Sequence, residues 1–118
     1  MGALLVAPAD VDRAGAPEEL AGFAPSPALA LPFPSIVVAS SDDPWISLSR
    51  ARSLAAQWGS HFADIGAQGH INAASGIGDW AEGQAMLNDL VDVTTAGLSP
   101  AATRASLATT LSEVRAGA

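Results

Sequence analysis

Three residues of this chain have the types and spacing for proton-transfer chemistry. Asp42 and Asp43 stand side by side in "SSDDPW", and His70 follows in "GHIN". A carboxylate that accepts a hydrogen bond from one imidazole nitrogen fixes the histidine tautomer. The other nitrogen is then free to take a proton from a nucleophile. That arrangement is the acid–base half of a Ser-His-Asp triad. Each residue also has a plainer use. Asp-Pro is a common turn starter, so Asp43 before Pro44 would serve equally at a strand end, and a single loop histidine is commonly structural. His61 reads as a surface or structural residue, and its spacing from His70 supports no metal site. The chain contains no cysteine, which excludes disulfides, thiolate nucleophiles and cysteine-ligated metals.

The elements that would position these groups alternate between strand and helix. Residues 3–7, "ALLVA", and 35–40, "SIVVAS", are short, continuously apolar runs of the kind buried on both faces of a parallel sheet. Residues 61–66, "HFADIG", form a third short strand. Residues 47–59 place Leu48, Ala51, Leu54, Ala55 and Trp58 on one helical face, with Ser47 as N-cap and Gly59 as the stop. A second helix over residues 79–91 is expected to open with a capping box of Asp79 and Glu82. A last helix starts at Ser99–Pro100 and ends near Gly117. The Pro- and Ala-rich residues 8–34 have room for one helical turn around "PEELAGF", and a connection this long is expected either to be a cap-like segment that shapes a pocket or to be poorly ordered. This order implies βαβ units and a parallel sheet, hence an α/β fold.

Ligands of open α/β sheets bind beyond the carboxyl ends of the strands. The Asp43 and His70 loops both leave such ends. With a right-handed crossover between their strands, the two side chains fall at one edge. Acid precedes histidine, the order used in α/β-hydrolases. Trp45 sits beside the acid and could line a pocket, whereas Trp58 and Trp80 read as packing residues. "GIGDWA" fits the letters of a dinucleotide fingerprint but follows a loop instead of a strand, so helix capping and close packing explain its glycines better.

Composition narrows the classes. The 118 residues suit one domain, and about half are apolar. The net charge is −7, with five basic residues, all arginine. That argues against a nucleic-acid surface or a polybasic membrane patch. The apolar start is too short to span a bilayer and lacks the basic region of a signal peptide, so a cytoplasmic location is expected.

Three stretches, "GALLVAPADVDR", "LPFPSIVVASSDDPWISLSRARSLAAQWGS" and "GAQGHINAASGIGDWAEGQAML", resemble the C-terminal half of the retinoblastoma-binding-protein-9-like serine hydrolases, a family of the α/β-hydrolase superfamily. The resemblance covers residues 2–91. Its specific blocks are Ser41–Pro44, with Asp42 where that family usually has asparagine, Gly69–Asn72, and "SGIGDW" at 75–80. It implies that Asp43 is the triad acid and His70 the triad base. It implies a partial α/β-hydrolase fold: three short parallel strands with flanking helices, and the N-terminal half of the sheet missing. Residues 1–91 would be the C-terminal part of that domain and residues 92–118 a helical extension.

The family's nucleophile lies in a Gly-x-Ser-x-Gly elbow, and no serine here has that setting. The expected function is therefore a serine hydrolase fragment for small esters or amides, inactive as this chain alone. It would need neither metal nor cofactor. The substrate would be turned over only with the missing half supplied. The alternative is a non-catalytic remnant that uses its open sheet edge for a partner.

Overall fold

A computed structural model describes residues 1–117 of the chain. Its sheet has three parallel strands in the order β1 (Ala3–Val6), β2 (Ser35–Ala39), β3 (His61–Asp64). Three helices flank it: α1 (Leu48–Trp58), α2 (Ala81–Ala96) and α3 (Pro100–Gly117). Short 3₁₀ turns lie at Glu18–Phe23 and Ala73–Ser75. The α/β architecture with parallel strands expected from the sequence is present. Among the described residues no helix is long and apolar enough to cross a membrane.

Every residue of β2 is buried, which its unbroken β-branched run allows. Alternation splits its side chains between two layers. Ile36 and Val38 join Ala63 of β3, Met86, Leu90 and Val93 of α2, and Leu107 and Leu111 of α3 in one cluster. Ala39 faces the other way with Ile46, Ala51 and Leu54, under α1. The sheet is thus covered by α1 on one face and by α2 with α3 on the other. In register, Ile36 stands between Leu4 and His61, and Ala39 beside Asp64. Strands β2 and β3 therefore end together and release their loops at one edge. β1 pairs only with β2 among the described residues, which leaves its outer edge open.

α1 begins and ends as its sequence dictates. The Ser47 hydroxyl accepts the Arg50 amide at 3.1 Å, and Gly59 caps the other end. The long connection from β1 to β2 is fastened to this helix. The Trp58 indole donates to the Pro27 carbonyl at 2.6 Å, and the Leu31 amide donates to the Trp58 carbonyl at 2.8 Å.

The start of α2 differs from expectation. Asp79 makes no cap: the N-cap is Trp80, without a side-chain bond, and the helix starts at Ala81. The reason is aromatic packing. The Trp80 ring lies against the α2–α3 cluster and over Gly83, so the chain enters the helix after Asp79 has passed. A capping box does occur, in Asn72 and Ser75, where it closes the turn after His70. α2 then continues past residue 91 to Ala96.

Candidate active site

The structure brings Asp43 and His70 together. Asp43 lies just beyond β2 and His70 beyond β3. The His70 Nδ1 is 2.9 Å from Asp43 Oδ2 and 3.1 Å from Oδ1. The Asp43 side chain is wholly buried, and that of His70 is 28% exposed. Asp43 Oδ1 also accepts the Trp45 amide at 2.8 Å, in a turn closed by Pro44. A carboxylate only accepts hydrogen bonds, so Nδ1 carries the proton. Nε2 has no hydrogen-bond partner among the described residues and is left as the basic nitrogen.

Asp42 has a different task, and the sequence reading did not reach it. Its Oδ1 accepts the Gly69 amide at 2.7 Å and the Ser40 hydroxyl at 2.8 Å. Buried Ser40 in turn accepts the Gln68 amide at 2.8 Å. The pair ties the end of β2 to the loop that carries His70. The Gly69 amide, first, and the Ser40 hydroxyl, second, hold the Asp42 carboxyl below its ordinary value. A lowered acid contributes its stability in full above the ordinary value of 3.8 and loses it as pH falls through the lower, folded value. The clamp therefore persists across neutral and mildly acidic pH. An Asp42→Ala change leaves both donors unpaired, and amide exchange at Gln68 and Gly69 should rise about tenfold or more, whereas Asp42→Asn keeps an oxygen for them. Equal exchange in wild type and Asp42→Ala would remove the clamp.

Backbone geometry aims the histidine. Gly69 has φ +59° and Ile71 has φ +52°, so His70 stands between two left-handed residues. For glycine this conformation is free, but for a β-branched residue it costs about 1–2 kcal/mol. The Ile71 side chain packs against the α2–α3 cluster, which holds the residue there. Ile71 is thereby drawn to the core while His70 is turned toward Asp43.

Charged residues after β1 finish the edge. Arg50 on α1 bridges Asp10 at 3.4 Å and Asp12 at 2.9 Å. The Asp12 carboxyl is held below its ordinary value by Ser26, with Arg50 adding to the effect. Arg13 donates to the Pro44 carbonyl at 3.0 Å and lies 5.4 Å from the Trp45 ring centre. The Trp45 and His70 ring centres are 6.1 Å apart. Trp45, expected beside the acid, is thus a wall of the imidazole site. "DVDR" at 10–13, in the loop that leaves β1, was the available signal for this group. His61 stands at the amino end of β3, at the opposite end of the strand from the loop that carries His70. Among the described residues no cluster of three or more His, Asp or Glu could hold a metal.

The family model described as "Serine hydrolase" matches residues 1–89. The crystal structure of a YdeN-like hydrolase from Pectobacterium atrosepticum is 35% identical in sequence, with a TM-score of 0.65. The likeness covers 78% of this chain and 46% of that one, so the chain spans under half the length of that hydrolase. No curated protein matches the chain.

Proposed function

The chain belongs to the serine hydrolase family, and from that premise we propose that Asp43 and His70 are the acid and base of a Ser-His-Asp hydrolase acting on small esters or amides. The observation that carries this reading is the buried Asp43 carboxylate on His70 Nδ1, with Nε2 unpartnered. His70 Nε2 takes the proton of a serine as its oxygen attacks the substrate carbonyl. It returns that proton to the leaving alcohol or amine as the tetrahedral intermediate collapses to an acyl-enzyme. Water then repeats the cycle and releases the acid. Asp43 holds the ring and stabilises the imidazolium at each stage.

The 118 residues contain no Gly-x-Ser-x-Gly segment. The serine and the oxyanion donors are therefore assigned to polypeptide outside them, an assignment that the 46% coverage of the YdeN-like hydrolase supports. The Ser41–Pro44, Gly69–Asn72 and "SGIGDW" blocks favour the retinoblastoma-binding-protein-9-like branch. A non-catalytic interaction module is the second reading, favoured by the open outer edge of β1.

A fluorophosphonate probe, which reacts with activated serines, separates the two. The chain alone should stay unlabelled. Set in place of the matching segment of the YdeN-like hydrolase, it should be labelled and should hydrolyse a p-nitrophenyl ester, and His70→Ala should abolish both. Folded chimeras that remain inert would favour the interaction module. Labelling of the isolated chain would overturn the assignment of the serine.

A further inference from the structure

A second polar cluster lies at the amino ends of the strands, at the sheet edge opposite His70. The two edges are separated by the five residues of β2, about 16 Å of strand. Between the end of α1, the proline-rich approach to β2 and the start of α3 is a cavity of about 670 Å³. Leu31, Phe33 and Leu98 give it an apolar wall, and Ser35, Ser60, His61 and Arg104 a polar end. Ser35 is buried, and its hydroxyl is 2.6 Å from that of Ser60.

The charges in this cavity are unbalanced. Arg13 and Arg52 lie over aromatic rings, and Arg50 is paired with two aspartates. Arg104 has no ion pair, hydrogen bond or ring partner among the described residues, in a chain with twelve acidic side chains. No carboxylate from the surrounding elements lines the cavity among the described residues. Among the described residues His61 and Arg104 are its only ionisable groups. Burial first, and the nearby Arg104 second, push the His61 imidazole below its ordinary value. Two basic groups face one space with nothing anionic between them, and a bound anion would relieve both.

We infer that this cavity is a binding site for a small carboxylate with an apolar body, its carboxylate held by Arg104 with His61 and its body against Leu31, Phe33 and Leu98. One permanent cation suits a monoanion, and a guanidinium takes a carboxylate in a two-pronged grip. The apolar wall gives the site a reason to prefer an amphiphile over a bare ion. The inference is independent of the Asp43–His70 chemistry.

Octanoate is the probe, followed by ¹⁵N and imidazole NMR on the 118-residue chain. Saturable shifts should appear at Ser60, His61 and Arg104, and His61 should titrate at higher pH with octanoate present, since an anion favours the charged ring. Arg104→Gln, a change at an exposed helix position, should weaken binding about tenfold or more. Arg52→Gln should bind like wild type. Octanol or inorganic phosphate binding as tightly as octanoate, unaltered binding by Arg104→Gln, or an unmoved His61 titration would each overturn the site.

Discussion

Asparagine at position 43 is expected to lower ester turnover about 10⁴-fold when residues 1–89 replace the matching segment of the YdeN-like hydrolase. The geometry explains why so small a change should matter so much. The Trp45 amide donates to Oδ1, and that donor keeps an oxygen at the Oδ1 position. The asparagine NH₂ must then occupy the place of Oδ2, facing His70 Nδ1 at about the 2.9 Å now spanned. Two donors cannot face each other, so the imidazole proton moves to Nε2. The nitrogen that accepts the serine proton in the proposed mechanism would then already carry one. Substrate affinity should change little, because no binding group is removed. The same shift is readable without turnover: ¹⁵N imidazole NMR of the chain should report the Nδ1–H tautomer in wild type and Nε2–H in Asp43→Asn. Turnover within tenfold of wild type, or an unchanged tautomer, would reduce the pair to a structural contact.

Alanine at Gly83 should destabilise the fold, against the usual direction of a glycine-to-alanine change in a helix. Alanine ordinarily gains about 1 kcal/mol there. Here a Cβ at Gly83 would overlap atoms of the Trp80 ring, which packs where that Cβ would stand. Overpacking of this kind costs about 1–3 kcal/mol, and a ring forced off the α2–α3 cluster loses its burial as well. A net loss of about 2 kcal/mol would lower Tm by about 5–10 °C. The cause can be isolated with a double-mutant cycle. In a Trp80→Ala background the obstacle is gone, and Gly83→Ala should then stabilise. The same sign in both backgrounds would show that the ring is not responsible.

Much of this fold was legible because its signals are local. The apolar runs at 3–7 and 35–40 and the Ser47 cap each carry their meaning within a few residues; the strands occupy Ala3–Val6 and Ser35–Ala39, each one residue shorter, and the cap is in place. Asp43 and His70 were legible as neighbours because parallel strands release their loops at one edge. The choice between the two aspartates came from the family resemblance, and the geometry now separates them by partner. Asp42 answers to Ser40 and Gly69, a hydroxyl and a backbone amide that no residue pattern advertises. The capping box expected at Asp79 failed because the aromatic neighbour decides where α2 begins, and local propensity yields to packing. The encounter of His61 with Arg104 depends on how α3 docks beside β3.

Ile71 joins the hydrophobic interior to the backbone that carries the imidazole. Its left-handed backbone is tolerated only while its side chain stays seated against the α2–α3 cluster. The side chain works as a lever whose short arm is in the core and whose other end is the aim of His70. Loss of that seating would release the strained backbone next to His70 and loosen the hold on its aim. The Asp43–His70 contact is then a gauge of interior packing.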